Sequence, residues 1–404
     1  MVSREEKLTD ITDWLAISAL TEQPIRETIR SFSKRLSNCG IPVDRINCST
    51  FQRHQIMGAM DTTWEIDVGV SDTEFVPKSV IINSDTNNTP AGSLARSASD
   101  FERYDLRNSE TRGKFPVFEK LNARGFCDYF IIKQSYGRHW ESRKTATNSE
   151  GVYGSFATKN SSGFSDDQID EIKSLWPALS LFLKTATEQM LSAQLLEAYV
   201  GRIPARNILS GMIERGDGNR ISCVLWYSDL RDSTRLSTSL PTDEYLELLN
   251  NYFDCTAGSV IENGGEVLKF IGDGVMAIFP LDERDEKMAF SSALSAARQS
   301  LVKADCLRSK TSASSAGDFV FGIGLHAGDV TLGNVGTAGR LDMTVIGASA
   351  NQVTRIEALT KSLAISVLAS PRFFQSSPEG LTSIGKFPVP DLGGMTEIYS
   401  LVEK

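Results

Sequence analysis

The sequence predicts an α+β protein of two domains joined by a helix, and three observations carry that prediction. The chain has 404 residues, more than a single hydrophobic core usually serves. Residues 1–164 alternate short helical and strand-like patterns. Residues 205–404 read strand, helix, strand, strand, helix, strand, and residues 165–204 between them carry a helical period from Ile169 to Ala193.

The first domain opens on helical spacing. In "PIRETIRSFSKRLSNCG", Ile25, Ile29, Phe32 and Leu36 fall on one face. Strand-like stretches follow at "DRINCSTF", "TTWEIDVGV", "DYFIIKQSY" and "GVYGSFATK". Between them "INSDTNNTPAGSLARSASD" is polar and turn-rich, and is expected to be a long mobile loop.

A capping box starts the connecting helix. Ser165 and, three residues later, Gln168 can satisfy each other's free backbone donors. Apolar residues then recur at Ile169, Ile172, Trp176, Leu179, Leu183, Ala186, Met190 and Ala193, alternating steps of three and four. Such a seam suits a coiled coil. The first half suits packing on its own domain equally well; the second half is expected to pair in a parallel dimer. Pro177 is expected to kink the helix or divide it. "GRIPARNI" and "ERGDGNR" then read as a linker.

The second domain begins with the strand "ISCVLWYS" and the helix "TDEYLELLNNYFDCTAGSVIEN", whose Tyr245, Leu248, Leu249 and Tyr252 share a face. Asn263-Gly264-Gly265 is a normal helix end. A hairpin, "KFIGDGVMAIFP", follows, with a Gly-Asp-Gly tip. The helix "EKMAFSSALSAARQSLV", a Ser/Ala loop and the strand "FVFGIGLHAG" complete the order. This βαββαβ order is the ferredoxin-like arrangement.

Composition narrows the function. Apolar residues are 41% and charged residues 23%, ordinary values for a soluble globular chain. A net charge of −9 argues against broad binding to nucleic acid or anionic membrane. No apolar run approaches the roughly 18 residues that span a bilayer. The start, "MVSREEKLTDITDW", lacks a signal-peptide core. The six cysteines are dispersed, with no C-x-x-C pair, which suits reduced thiols. A cytoplasmic location is expected.

Two aspartates stand where ligands gather. Asp229 follows the apolar strand "CVLWYS", and Asp273 forms the hairpin tip. If the two strands are neighbours, their carboxylates converge, as they do where Mg²⁺ is held with substrate phosphates. Either aspartate alone fits an N-cap or a turn better than a metal ligand, and Lys269 alone also fits a solvated edge-strand lysine.

Four segments in order add to this reading: "YSDLRDSTRLS", "GGEVLKFIGDGVMAIF", "GIGLHAGDVTLGNVG" and "RLDMTVIGASANQVTRIEAL". Across residues 218–400 the chain resembles the class III nucleotidyl cyclase catalytic domain, the adenylyl and guanylyl cyclase family. The resemblance implies Asp229 and Asp273 as ligands of two divalent metal ions, Mg²⁺ or Mn²⁺, with help from the Leu230 carbonyl. It implies Lys269 and Thr344 as purine readers, Asn351 as the ribose-orienting residue, and Arg355 as the stabiliser of charge on the α-phosphate. It also implies a head-to-tail homodimer in which one protomer supplies the aspartates and the other the remaining contacts.

Donor and acceptor rules favour ATP. Lysine only donates, so it suits the adenine N1 acceptor and meets the guanine N1–H badly. In the family, guanylyl cyclases typically carry an acid at the lysine position. A guanylyl cyclase, a diguanylate-cyclase-like enzyme suggested by "GGEVL", and a silent nucleotide-binding sensor or interaction protein are the alternatives. Departures from the family pattern are Asp232-Ser233 for Gly-Phe, Ala350-Asn351 for Val-Asn, and Pro390 where a basic residue often meets the triphosphate. Asp232 is expected to cap the next helix or to repel triphosphate slightly.

The first domain looks like a GAF domain, chiefly through "GVYGSFATKNSSGFSDDQIDEIKSLWPAL". The resemblance implies a sensor of an unknown small molecule or other signal. His54 and His139 are isolated and His326 is read as structural. Trp64, Tyr129 and Trp140 fit core packing better than a pocket.

Overall fold

In "RINCSTF" every second residue is apolar or small, and the strand it forms is the middle of a seven-stranded sheet. The computed structural model describes residues 3–51, 57–71, 73–77, 88–135, 151–281, 286–310, 319–377, 379–389 and 392–401. The chain divides into two units, Met1–Ser192 and Ala193–Lys404.

The first unit starts with α1 (Arg4–Leu20) and α2 (Ile25–Asn38). Strands β1 (Arg45–Phe51), β2 (Met57–Glu65), β3 (Gly69–Val70) and β4 (Glu74–Pro77) come next. They are followed by α3 (Pro90–Arg96), β5 (Phe101–Asp105), α4 (Ser109–Arg112), α5 (Pro116–Ala123), β6 (Asp128–Ser135) and β7 (Gly151–Thr158). The antiparallel sheet runs β3-β2-β1-β7-β6-β5, with β4 on β2. One face packs Ile46 and Cys48 with Ile29, Phe32 and Leu36 of α2, the face expected from its spacing. The other packs Tyr129 and Tyr153 with Leu94 of α3 and Phe118 and Leu121 of α5.

Helix α6 (Asp166–Val200) begins as the capping box requires. The Ser165 N–H donates to Gln168 Oε1 (3.0 Å), and the Gln168 N–H donates to Ser165 Oγ (3.2 Å). The helix, its seam and the stretch read as a loop can each be set against what was expected. Pro177 does not divide the helix, which loses one backbone hydrogen bond there and continues. The first half of the apolar seam, Ile169 to Leu183, is buried in its own unit's core, one of the two readings its spacing allowed; in the second half Ala186 and Met190 pack against that core and remain partly exposed. The stretch read as a long loop contains α3, because Thr89 caps it through Gly92 N–H (3.0 Å) and Pro90 opens its first turn. Residues 82–87 of that stretch lie outside the described residues.

"GRIPARNI" is likewise not a linker but helix α7 (Arg202–Leu209). The second unit continues with β8 (Gly218–Leu230), α8 (Ser233–Ser239), α9 (Thr242–Glu262), β9 (Glu266–Ile271) and β10 (Gly274–Pro280). Then come α10 (Glu286–Lys310), β11 (Phe321–Thr337), β12 (Arg340–Ile346), α11 (Ala348–Leu363) and β13 (Val367–Ala369). Last are α12 (Pro371–Ser376), β14 (Leu381–Val389) and β15 (Gly394–Leu401). The eight-stranded sheet runs β14-β15-β13-β11-β8-β10-β9, with β12 on β11. Its segment β11-β8-β10-β9 is the order that a strand-helix-strand-strand-helix-strand chain gives in a ferredoxin-like sheet. Helices α9 and α10 cover one face around Trp226, Tyr252 and Phe290, and α11 covers the other around Leu225 and Val353.

A track of glycines sets how closely α11 approaches. A Cβ at Gly322 would lie 2.1 Å from Thr360 Oγ1, and one at Gly324 would lie 2.6 Å from the Val353 carbonyl. "GIGLHAG" is therefore a helix seat. Its His326 is buried, with Nδ1 2.9 Å from Ser370 Oγ. Burial and Arg372 push it down to about 4, so it is a neutral structural residue at pH 7.

Candidate active site

The Gly-Asp-Gly tip is a two-residue hairpin, with Ile271 paired to Gly274. Its glycines serve different ends. Gly272 takes φ +64°, which favours glycine. A Cβ on Gly274 would lie 2.4 Å from Tyr227 Oη, so only a bare backbone fits beneath that ring. The tip thereby delivers Asp273 beside Asp229, the penultimate residue of β8, which lies opposite Gly322.

The two carboxylates meet. Asp229 is pushed up to about 6, first by burial, then by the charge of Asp273 and a hydrogen bond with it. Asp273 Oδ2 is buried and has no hydrogen-bond partner. Two close carboxylates with one orphaned oxygen fit a divalent cation, which is commonly held by one or two carboxylates plus substrate phosphates. Among the described residues no group of three or more His, Cys, Asp or Glu could hold a metal by itself. Leu230 has its side chain buried in the core, so only its backbone faces this end of β8.

A third acid stands behind the pair, and the sequence reading did not single it out. Glu357 on α11 is buried and pushed up to about 7, first by burial and then by Asp229. Thr360 Oγ1 donates to its Oε1 (3.2 Å). An acid in the stripe Val353, Ile356, Glu357, Thr360, which packs on the glycine track, is the signal that could have found it.

Lys269 goes elsewhere. The β9–β10 register skips Leu268, pairing Lys269 with Met276 and Val267 with Ala277. Such a bulge re-aims the next side chain. Lys269 Nζ forms an ion pair with Asp342 on β12. Thr344 lies two residues further along the same strand, hence on the same face. Asp342 is a second acid absent from the sequence reading, although its place two residues before a purine-reader candidate marks it. Asn351 and Arg355, one helical turn apart, share the exposed face of α11.

Asp232 does not cap α8 by its side chain. It holds φ +57°, and Lys361 Nζ stands 3.7 Å from its Oδ1. Pro390, His54, His139 and Trp140 lie outside the described residues. Trp64 packs at the edge of the first core, while Tyr129 is buried against Phe118 and lines a cavity. No helix among the described residues is long and apolar enough to cross a membrane.

Comparison with known proteins agrees with this geometry. The family model described as "Adenylate and Guanylate cyclase catalytic domain" matches residues 219–391. An adenylate cyclase of Anabaena cylindrica is 34% identical over 157 residues, 39% of this chain and 31% of the relative. The terminal-differentiation-specific adenylate cyclase of Dictyostelium discoideum is 31% identical over 188 residues, 45% of this chain and 8% of the relative. The chain thus spans a third or less of the length of these relatives. A solved bacterial light-regulated adenylyl cyclase is 26% identical with a TM-score of 0.40, covering 45% of this chain and 91% of the other. The second unit carries a class III nucleotidyl cyclase catalytic domain.

Proposed function

We propose that the chain is a soluble, cytoplasmic, sensor-regulated adenylyl cyclase, converting ATP to cyclic AMP and pyrophosphate as a homodimer with shared sites. The observation that carries the reaction class is the meeting of Asp229 and Asp273, with a buried carboxylate oxygen that lacks a partner. In this reading the pair, with the Leu230 carbonyl, holds two divalent ions, Mg²⁺ or Mn²⁺. When bound, these ions acidify the ribose 3′-hydroxyl and neutralise charge on the triphosphate.

The other residues bind and orient. Lys269 donates to adenine N1 and Thr344 accepts from the 6-amino group. Asn351 orients the ribose so that its 3′-oxygen faces the α-phosphate in line with the leaving pyrophosphate. Arg355 spreads its guanidinium donors over the phosphate oxygens as charge builds there. Asp342 holds the Lys269 ammonium before nucleotide arrives. Residues 1–164 act as a GAF-like sensor, and residues 165–204 link it to the cyclase domain, residues 205–404.

One observation favours a second reading. Asp342 places an acceptor beside the lysine, and guanine offers an N1–H and an amino group to an acceptor. Purified protein given ATP and GTP in parallel, with Mg²⁺ or Mn²⁺, separates the two. Cyclic AMP as the dominant product is expected; cyclic GMP as the dominant product refutes the purine reading, and no cyclic product refutes the cyclase reading. For the shared site, Asp273→Ala and Arg355→Ala chains are expected to be inactive apart and to recover part of the activity when mixed. No recovery refutes the composite site.

A further inference from the structure

The first unit breaks its own apolar pattern at one place. The sheet face under α3 and α5 is lined by Tyr104, Tyr129, Ile131 and Tyr153, as a covered face should be. Across β1 and β7, however, Asn47 lies opposite Ser155, and on β2 Asp61 lies opposite Ser49. Ser155 is only 3% exposed. Polar residues on a covered sheet face cost stability unless they are satisfied or serve a ligand.

A cavity of about 460 Å³ opens at this break. That volume lies within the roughly 300–1,000 Å³ usual for small-molecule sites. Its floor is Asn47, Ser49 and Ser155, and the rings of Tyr129 and Tyr153 with Pro90 and Pro116 give it flat apolar walls. Two cations line it, Arg45 from β1 and Lys120 from α5, and among the described residues no carboxylate does. Neither cation makes an ion pair with a described residue. Of the acids on the same sheet face, Asp61 is engaged by Asn47 Nδ2 (2.8 Å) and Ser49 Oγ (2.5 Å), and Glu65, opposite Arg45, forms its ion pair with Arg124.

We propose that this cavity binds a small organic anion with a flat apolar body, its carboxylate or phosphate held by Arg45 and Lys120. The Ser155 hydroxyl gives such a ligand a hydrogen-bond partner, Asn47 and Ser49 being engaged with Asp61 and Thr63, and the tyrosine rings face its planar part. The site lies wholly within the first unit and does not depend on the cyclase reading.

Three probes test this on the full chain by isothermal titration calorimetry: indole-3-acetate, its neutral isostere indole-3-acetamide, and phenyl phosphate. At least one of the two anions is expected to bind, and which one binds tells carboxylate from phosphate recognition. The amide is expected to bind at least tenfold more weakly than the acid if the acid is the binder. Arg45→Gln with Lys120→Gln is expected to weaken the bound anion by about ten- to a hundredfold, the effect of losing charged hydrogen bonds. Circular dichroism of the same variants controls for folding. Lys120→Gln alone, at an exposed helix position, retains the test should Arg45→Gln fail to fold. Binding of neither anion, an amide as tight as the acid, or cation variants with unchanged affinity overturns the proposal.

Discussion

Replacing Asp273 with asparagine is expected to stabilise the metal-free protein while abolishing its turnover. In the absence of a cation the folded second unit holds two carboxylates together, with Asp229 raised to about 6 by burial and by its neighbour. Asp273 Oδ2 is buried with no partner. The substitution Asp273→Asn removes one charge and offers an amide donor to Asp229. Allowing for the partial exposure of the site, the relief is about 1–2 kcal/mol at pH 8. For a domain of this size that is about 2–8 °C in the unfolding midpoint of the second unit. Scanning calorimetry of the full chain in EDTA measures it. Mg²⁺ or Mn²⁺ should raise the same transition in wild type and not in Asp273→Asn. A variant no more stable than wild type in EDTA, or equally stabilised by metal, refutes the reading of the pair as a cation site.

The pH dependence of that difference has a fixed sign. A carboxyl whose folded pKa is raised binds more protons folded than unfolded, so its contribution declines as pH rises through the window. For Asp229 the window runs from 3.8 to about 6. Glu357, raised to about 7 by burial first and then by Asp229, gives both proteins a further decline that does not enter the difference. The advantage of Asp273→Asn should therefore vanish near pH 4 and be full by pH 8.

Three further substitutions probe neighbouring features. Asp232→Gly should stabilise the second unit by about 0.5–1 kcal/mol, because φ +57° suits glycine and the exposed Lys361 pair contributes little; a lower urea midpoint would contradict this. Gly274→Ala should cost about 1–3 kcal/mol through its clash with Tyr227 Oη, and Tyr227→Phe should return part of that in the double variant. Lys269→Glu should lower turnover of ATP by about ten- to a hundredfold, since it removes the proposed adenine donor and faces Asp342 with a second acid. Unchanged preference between ATP and GTP would count against Lys269 as the base reader.

What the sequence discloses is local, and what it conceals is set by register and cover. The α2 face, the Ser165–Gln168 box and the hairpin tip are each written within a few residues, and each is present in the structure. The seam from Ile169 to Met190 is written just as plainly, but spacing does not say what covers it; the first core buries Ile169 to Leu183 and leaves Ala186 and Met190 partly exposed. The Thr89-Pro90 helix start is hidden by the polar, turn-rich stretch around it. Asp342 and Glu357 acquire meaning only once β12 and α11 bring them against Lys269 and Asp229.

The hairpin shows why register matters to the chemistry. Lys269 and Asp273 stand four residues apart on one strand and its turn, and their side chains go to different places. The bulge at Leu268 turns Lys269 toward Asp342 and the face that bears Thr344. The bare backbone at Gly274 lets the tip fold under Tyr227, so Asp273 reaches Asp229. Among the described residues no hydrogen bond or ion pair joins the Lys269–Asp342 pair to the Asp229–Asp273 pair. A base held at the first and phosphates held at the second ask for a nucleotide laid across two such surfaces. In the proposed homodimer a second copy of the chain supplies each surface with its complement, which is the ground for mixing chains defective in one surface with chains defective in the other.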